Sequence, residues 1–379
     1  MQYDAIIIGA RCAGAATALQ LARGGLKVLV LDRARPGSDT MSTHALMRGA
    51  VIRLERWGLL DRVMDSGAPL VRRTQFDYGG DVIDVPIRPA NGTDGLIAPR
   101  RYVLDRILAD AAADAGADIR YGTSFVDVLR GDKNQIEGVV FDGPGRRQQT
   151  NAPIVIGADG RRSTVARRVN SRVQVMAEHA TSCVYAYFEG LSNAGYRWFY
   201  NDGLAAGAIP THNGLHCIFA SSTPDRFRSL VRELGTERAL RQLVTDTNPA
   251  FGHQLQTSNA VGRPVVFGGD HGFLREATGP GWALVGDAGY FKDPLTAHGI
   301  TDAFRDAEVL SQTLLNGESP QTFEETRNAC SIELFELTNK IASFEWSLNE
   351  LKGMHLRLNE IMKAEQAFMA RGEPFRLAA

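Results

Sequence analysis

The sequence predicts an α/β fold, in which a Rossmann-like domain on a parallel sheet carries an inserted antiparallel β-sheet and is followed by C-terminal helices. Three observations favour this fold. The chain opens with a buried strand, a glycine turn, a helix of small residues and a second buried strand, which together form a βαβ unit. Two more strand–turn–helix patterns occur far downstream. Short alternating segments with turn residues, typical of antiparallel strands, fill 71–96 and 180–270.

The elements follow from local patterns. Residues 4–9 and 27–32 are apolar runs that predict buried strands, and 13–23 predicts the helix between them. Helical patterns follow at 50–66 and 103–115, and an amphipathic pattern covers 320–370. These patterns predict a nucleotide-binding domain, a substrate domain and a helical C-terminus. The nucleotide-binding domain is expected at 1–70, 97–172 and 280–325. The substrate domain is expected at 71–96 and 173–279, and the C-terminal helices at 326–379.

Composition narrows the function. The 379 residues are 44% hydrophobic, which is enough for a large core. The formal net charge of −1 leaves no broad basic field, so we expect no nucleic-acid partner. Two basic pairs, Arg161-Arg162 and Arg167-Arg168, are either a solvated face or a rim that attracts an anionic dinucleotide.

The cysteines and the N-terminus bear on the compartment. Four cysteines lie far apart, without disulfide or metal-ligand spacing, so we expect no metal site and a reducing cytoplasm. The apolar stretch 3–22 has no basic leader and is interrupted by Arg11, so we expect no signal peptide. No apolar run is long enough to predict a membrane span.

The first motif is Gly9-Ala-Arg-Cys-Ala-Gly14, between the first strand and helix. Gly9 permits the tight turn, Gly14 lets the helix pack on the strand, and the helix N-terminus faces a pyrophosphate. Asp32 ends the second strand, where a carboxylate accepts hydrogen bonds from a ribose diol. Arg11 replaces the middle glycine of the usual pattern, so its side chain must point away, over the cofactor rather than beneath it.

The second motif is Gly157-Ala-Asp159-Gly160, in which a buried strand ends at a turn and Ser163 caps the next helix. The third motif is Gly286-Asp287, followed by Pro294 and by a helix that begins near Ala297. The N-terminal amides of that helix would stabilise negative charge on a ligand above the sheet.

The three motifs, in this order, resemble those of para-hydroxybenzoate hydroxylase-like flavoproteins, a family of aromatic hydroxylases, flavin-dependent halogenases and geranylgeranyl reductases. The resemblance covers residues 1 to about 315 and implies FAD as cofactor, with NADPH or NADH as reductant. Arg101, three residues before Leu104-Asp105, matches the family's flavin-contacting arginine, and Phe125 would present its backbone to the adenine. The cofactor-binding residues that the resemblance and the motifs imply are Gly9, Arg11, Cys12, Ala13, Gly14, Asp32, Arg33, Thr43, His44, Arg101, Phe125, Asp159, Gly160, Gly286, Asp287, Pro294, Ala297, His298, Gly299 and Ile300.

The resemblance implies an NAD(P)H-using monooxygenase that hydroxylates an aromatic or polyketide-like small molecule through a flavin C4a-hydroperoxide. Such chemistry needs a dry pocket and a hydrogen bond to a phenol, so the sequence assigns no catalytic residue. An FAD-dependent reductase of a carbon–carbon double bond is the alternative, because Tyr196-x-Trp198 partly matches a reductase pocket motif. A separate flavin reductase is an open alternative as the electron source.

Two further readings are weaker. A halogenase is disfavoured because the chain has no lysine between Lys27 and Lys133 and lacks the Trp-x-Trp-x-Ile-Pro signature, although Asp293-Pro294 and Gly299-Ile300 match the halogenase pattern. A non-catalytic binder, as in the Rab escort and GDP-dissociation-inhibitor proteins, is disfavoured because the second and third motifs keep their acids.

Some single residues keep two interpretations. His44 lies near the flavin edge by resemblance, as a hydrogen-bonding or a covalently linked residue. His298 either faces the substrate or packs. Cys12 is a small filler rather than a redox thiol. Trp198 and Tyr200 share one face of a strand, which is either the pocket or the core.

Overall fold

The computed structural model describes residues 3–371 and has the predicted α/β architecture. Its strands are β1 (Ala5–Ile8), β2 (Val28–Asp32), β3 (Arg73–Tyr78), β4 (Asp81–Pro86), β5 (Asp118–Tyr121), β6 (Ser124–Arg130), β7 (Ile136–Gly143), β8 (Arg146–Asn151), β9 (Ile154–Gly157), β10 (Val173–Met176), β11 (Ser182–Glu189), β12 (Tyr196–Asn201), β13 (Leu204–Pro210), β14 (His216–Ser222), β15 (Asn259–Phe267), β16 (Phe273–Arg275), β17 (Thr278–Gly279), β18 (Trp282–Leu284) and β19 (Tyr290–Phe291). Its α-helices are α1 (Cys12–Arg23), α2 (Arg48–Arg56), α3 (Leu60–Asp65), α4 (Arg101–Asp114), α5 (Thr164–Arg168), α6 (Pro224–Leu234), α7 (Thr236–Thr247), α8 (Pro249–Gln256), α9 (Gly299–Leu315), α10 (Pro320–Ala342) and α11 (Leu348–Arg371).

The central sheet has the strand order β17-β18-β9-β1-β2-β5 and is parallel except for the β17–β18 pair. Its strands are continuous apolar runs because both faces are covered. Ile7 and Val30 point into the core that includes α1, α4 and α9, whereas Ile6 and Leu29 face the core under the small sheet β6-β7-β8. Since β1, β9 and β18 are parallel neighbours, the loops at their carboxyl ends meet at one edge.

The second large sheet has the order β15-β11-β14-β13-β12-β3-β4. The hairpin β3–β4 joins it through a parallel pairing of β3 with β12, and all its other pairings are antiparallel. One face packs Phe188, Phe199 and their neighbours against α6–α8. The other face turns Tyr185, Tyr187 and Trp198 toward the main core. This second face therefore looks toward the nucleotide-binding half of the molecule.

Two expected elements were wrong. The predicted helix at 50–66 is split into α2 and α3, because Gly58 adopts a left-handed φ of 68° after α2 ends. The stretch 180–270 is not strand throughout, since α6, α7 and α8 occupy 224–256. Pro224 and Pro249 stand in the first turns of α6 and α8, and the Asn248 side chain accepts a hydrogen bond from the Phe251 amide.

The C-terminal helical pattern forms α10 and α11, which pack on each other, and α11 also contacts α2. Within residues 3–371, no helix combines the length and the apolar character that crossing a membrane requires.

Candidate functional site

The three motifs touch one another at the edge of the central sheet. A Cβ atom on Gly9, whose φ is 108°, would lie 2.5 Å from the carbonyl oxygen of Ala158 in the second motif. A Cβ atom on Gly14 would lie 1.9 Å from the Gly9 carbonyl oxygen, and one on Gly286 would lie 2.9 Å from the Ala13 Cβ. The glycines therefore let the loops after β1, β9 and β18 converge on the first turn of α1.

The N-terminus of α1 is open toward this edge. The residue that precedes the helix, Arg11, makes no side-chain capping bond, so most first-turn amides remain available to an anion. The Cys12 amide is the exception, since it donates to Asp105 Oδ1 at 3.1 Å. Arg11 Nη1 donates to Thr40 Oγ1 at 2.6 Å, so its side chain reaches the loop after β2.

Asp32 is held inside the first turn. Its carboxylate accepts hydrogen bonds from the amides of Ala10 and Ala34, both at 2.7 Å, and Asp32 is 8% exposed. The Asp32 carbonyl accepts the Thr123 amide at 3.0 Å, which brings the start of β6, with Phe125, beside the end of β2. The roles of Asp32, Phe125 and the exposed Arg33 toward a nucleotide stay predictions.

Arg101 begins α4 and forms an ion pair beside the α1 terminus. Its Nη2 donates to both oxygens of Asp105 at 3.1 Å, and the attraction of Asp105 raises the pKa of Arg101 against the effect of burial. The Cys12 thiol also donates to Asp105, and burial raises the pKa of Cys12 well above its ordinary value. Burial therefore keeps the Cys12 thiol protonated, and its contact with a cofactor stays a prediction.

Asp287 differs from these acids because its carboxylate accepts no hydrogen bond from residues 3–371. Burial raises the pKa of Asp287, while the positive charges of Lys292, Arg101 and Arg161 lower it. A half-buried carboxylate with free acceptor oxygens among cations can accept hydrogen bonds from hydroxyls of a ligand.

Asp159 has a structural role that the sequence did not reveal. Its carboxylate accepts the Ser163 hydroxyl at 2.5 Å and the amides of Thr164 at 2.6 Å and Val165 at 3.2 Å, at the start of α5. Ser163 caps the same helix by accepting the Ala166 amide at 2.9 Å, which confirms the predicted cap. Asp159 and the left-handed Gly160 thus shape the second motif, and their contact with a nucleotide stays a prediction.

The third motif leads into the N-terminus of α9. Asp293 accepts hydrogen bonds from the Thr181 amide at 2.7 Å and hydroxyl at 2.8 Å, and from the Leu295 amide at 3.0 Å. Burial raises the pKa of Asp293 to about 6. Pro294 is exposed, and Ala297 adopts a left-handed φ of 50°. Because α9 starts at Gly299 without a side-chain cap, its first amides, including that of Ile300, are open.

The His298 side chain is buried between α9 and α11, and its role toward a ligand stays a prediction. Its Nδ1 lies 3.1 Å from Asp302 Oδ1, and its Nε2 lies 3.7 Å from Glu365 Oε2 on α11. These three side chains are close enough to ligate a metal ion. Protein cations already occupy the cluster, however, since Lys292 and Arg305 bind Asp302 and Arg53 lies 3.5 Å from Glu365.

The second sheet presents an aromatic wall toward the cofactor loops. The aromatic wall consists of the inward-facing side chains Tyr185, Tyr187, Trp198, Cys217 and Phe219. Tyr185 and Tyr187 on β11 lie opposite Phe219 and Cys217 on β14. Gly207 on β13 lies between Phe219 and Trp198 of β12. Gly207 is required there because the Phe219 ring lies 2.5 Å from where its Cβ would stand.

Trp198 and Tyr200 share this inward face, as predicted, and are buried in the main core. The Trp198 Nε1 donates to Thr74 Oγ1 at 3.1 Å. Tyr200 stacks on Tyr78, and its ring centroid lies 4.8 Å from that of His355.

His44 connects the loop after β2 to the aromatic wall. It is 1% exposed, adopts a left-handed φ of 67°, and its Nε2 is hydrogen-bonded to the Tyr187 hydroxyl. Its Nδ1 is buried and has no partner among the described residues. The Arg100 guanidinium lies 3.8 Å from the centroid of the Tyr187 ring, and burial and Arg100 hold the pKa of His44 well below its ordinary value. The neighbouring Thr43 is half-buried.

Sequence reasoning missed Tyr187, Arg100 and Asp105 as site residues. Alternation along β11 was a usable signal, because Tyr185 and Tyr187 must share a face. Nothing in the sequence, however, pairs Tyr187 with His44, which lies 143 residues earlier.

The arrangement fits a flavin dinucleotide. Open amides at the starts of α1 and α9 suit a pyrophosphate and an electron-rich ring, and Asp287 has free acceptors for hydroxyls. The unpartnered Nδ1 of His44 would gain a hydrogen-bonding partner from a ring that has carbonyl and N–H groups.

A surface cavity of about 570 Å³ lies beside the second motif. Arg161, Arg162, Met176, Asp270 and Phe273 are among its lining residues. Arg161 Nε donates to Asp270 at 2.6 Å, while the Arg162 side chain is 79% exposed. The basic pair thus borders a cavity, and both of its interpretations stay open.

Comparisons with known proteins agree with this geometry. The model of a family described as FAD binding domain matches residues 2–322. A digeranylgeranylglycerophospholipid reductase of Methanothermobacter thermautotrophicus is 26% identical over 334 residues, which cover 82% of this chain and 77% of that protein. A menaquinone reductase of Mycolicibacterium smegmatis is also 26% identical, over 83% of this chain and 76% of its own. The flavin-dependent brominase Bmp2 has the same fold, with a TM-score of 0.82 at 16% identity over 99% of this chain and 95% of its own.

Proposed function

The chain belongs to the FAD binding domain family and is an FAD-dependent oxidoreductase, and from this premise we propose that it reduces a carbon–carbon double bond in an isoprenoid-type substrate. Membership in this family removes the non-catalytic binder from the alternatives. The observation that carries the proposal is the likeness, over about four fifths of the chain, to reductases named for isoprenoid-bearing lipids. The likeness to the brominase, at 16% identity, concerns the fold alone.

The site chemistry supports this proposal. The alkene chain needs an apolar lining, and we place it at the aromatic wall because the members of this wall are aromatic or small. Reduction of an alkene also needs a proton, and the His44–Tyr187 pair lies on this wall. Bound FAD, once reduced, supplies the hydride.

The chain's own residues would hold the cofactor as follows. The first amides of α1 would bind the pyrophosphate, and Asp287 would orient a hydroxyl of the sugar-alcohol chain. The open amides of α9 would favour negative charge on the reduced ring. Arg101, beside Asp287, would add positive charge at the same place.

Hydroxylation of a phenol, predicted from the sequence, is the second candidate. The His44–Tyr187 pair favours it as well, because a phenol substrate needs a hydrogen-bonding partner that aligns it or removes its proton. We retain NADPH or NADH as the proposed reductant for either reaction.

An anaerobic assay tests the proposal. FAD-loaded protein is reduced with dithionite, NADPH or NADH and mixed with a digeranylgeranyl phospholipid. We expect reoxidation of the flavin absorbance and a product that has gained two hydrogens per reduced bond. The fully saturated lipid is the control and should cause neither change. Oxygen-dependent hydroxylation of phenols, without any anaerobic alkene reduction, would overturn the proposal in favour of the second candidate.

A further inference from the structure

The Tyr187 hydroxyl is the best-supported acid of the aromatic wall. It is bound to His44 Nε2, and the Arg100 guanidinium lies 3.8 Å from the centre of its ring. Burial raises the pKa of Tyr187, an effect that Arg100 opposes, so the phenol stays protonated near neutral pH. Tyr187 thus has a proton to donate, and the neighbouring cation would stabilise the phenolate that remains.

Neighbouring groups are less suited to this task. The Tyr185 hydroxyl accepts the Ser42 amide at 3.3 Å and has no imidazole partner that could return a proton. His212 is engaged on both nitrogens, by the Arg100 amide at 3.2 Å and by the Ser66 hydroxyl at 2.9 Å. The Cys12 thiol is bound to Asp105. His44, in contrast, keeps a buried Nδ1 without a partner among the described residues.

We propose that Tyr187 is the catalytic residue that protonates the substrate alkene, with His44 as the group that returns the proton and Arg100 as a positioning residue. This inference rests on the proposed reductase function. It also assigns the tautomer of His44 with its proton on Nε2, so that Nε2 donates to the Tyr187 oxygen and the phenolic proton is free for the substrate.

The step balances as follows. One alkene carbon receives the hydride, and the electron pair of the π bond forms a new C–H bond between the other carbon and the phenolic proton. Tyr187 becomes a phenolate, stabilised by Arg100, and takes the Nε2 proton of His44 while Nδ1 receives a proton from water, so that His44 passes from one neutral tautomer to the other. Exchange with water then returns the proton to Nε2. The two electrons come from the dithionite or nicotinamide nucleotide that reduces the cofactor.

The test compares Tyr187→Phe with wild type and with Tyr200→Phe. Tyr200 lies on the same sheet face but packs against Tyr78 and His355, away from His44, so it is a matched control for the loss of one buried tyrosine hydroxyl. We expect Tyr187→Phe to slow anaerobic flavin reoxidation by a digeranylgeranyl phospholipid about a hundredfold or more. Its Kd for FAD, measured by quenching of flavin fluorescence, should match that of wild type, and Tyr200→Phe should match in both.

Two readouts separate a proton donor from a merely structural residue. In D₂O, wild type should place deuterium on one face of the product, and Tyr187→Phe should lose this selectivity. In ¹⁵N NMR of the histidine rings, the signal that is missing from the spectrum of His44→Gln belongs to His44. Tyr187→Phe should shift the Nε2 signal of this ring. Near-normal rate and selectivity in Tyr187→Phe, with an active wild type, would overturn the inference while the proposed function stands. A wild type that reduces no alkene would overturn both.

Discussion

At the scale of single residues, the aspartates of the candidate site differ in how many hydrogen bonds they accept from the protein. Asp32, Asp159 and Asp293 each accept two or more hydrogen bonds from the protein. Asp287 accepts none from the described residues, although it is only partly exposed among cations. We therefore expect Asp287 to be the acid whose main partner is the cofactor.

Asp287→Ala should weaken FAD binding about tenfold to a hundredfold, because a charged hydrogen bond contributes about 1.5–3 kcal/mol. Asp287→Asn, which keeps one acceptor oxygen, should lose less. Equilibrium quenching of flavin fluorescence measures both affinities. Binding of FAD by Asp287→Ala at wild-type affinity would contradict the role assigned to the third motif.

Asp159→Ala should behave differently, because three donors at the start of α5 would lose their acceptor. We expect the free energy of unfolding to fall by about 1–2 kcal/mol even in FAD-free protein, as for other lost helix caps. Urea denaturation of the apoprotein checks this. Unchanged apoprotein stability, with reduced FAD affinity, would instead assign Asp159 to the ligand.

The sequence predicted the backbone of the site better than its side-chain partners. Gly9, Gly14 and Gly286 follow from strand–turn–helix patterns, since close approach there depends on local backbone. Pairings such as His44 with Tyr187, or Asp105 with Cys12, join residues about 90 to 140 positions apart. Local patterns carry no information about such partners.

At the scale of elements, a buried charged residue holds α11 against α2 and the start of α9. Glu365 on α11 is 2% exposed and lies near Arg53 of α2 and near His298, which precedes α9. Removing one charge from such a buried cluster leaves its partners uncompensated. The helix should therefore depend on Glu365 far more than on its exposed ion pairs.

Glu365→Gln should lower the free energy of unfolding by about 3–5 kcal/mol. Glu360→Gln is the matched control on the same helix, because the ion pair of Glu360 with Arg357 is largely exposed, and it should change stability by less than about 1 kcal/mol. Chemical denaturation of both variants measures the difference. Equal effects would show that the buried cluster does not hold α11.

His355 makes the docking of α11 sensitive to acid. Its ring packs against Phe76, Tyr78 and Tyr200, and burial lowers its pKa to about 4. Because the unfolded chain binds this proton more tightly, near the ordinary value of 6.5, the stabilisation is complete above pH 6.5 and is lost as the pH falls toward 4. The loss should reach about 3 kcal/mol.

His355→Gln should therefore lose less stability than wild type between pH 6.5 and 4. Urea denaturation across this range gives the difference between the two free energies of unfolding. A difference that does not change with pH would contradict the neutral state of His355 in the folded protein.

Element prediction succeeded where one periodicity dominates. The strands β1, β2 and β9 are short apolar runs between turns, and such runs are buried on both faces. Helices α6 to α8 were missed, because alternating strand patterns before and after them dominated the interpretation of 180–270. Thr223-Pro224 and Asn248-Pro249 were the available start signals.

At the scale of the whole molecule, one large sheet carries the three motif loops and the other carries the aromatic wall. The parallel sheet brings three loops to one edge. The inward face of the second sheet lies opposite and contacts His44 and Arg100 through Tyr187. The fold class was predictable because the order of motifs implies a parallel sheet. The facing of the sheets was not, since it depends on packing between distant segments.

The most direct measurement is a crystal structure of the protein loaded with FAD. We expect one FAD per chain, with its pyrophosphate at the first turn of α1, a sugar-alcohol hydroxyl on Asp287, and its ring between the start of α9 and His44. An FAD bound elsewhere, or crystals of active protein in which this edge of the sheet contains no flavin, would contradict it.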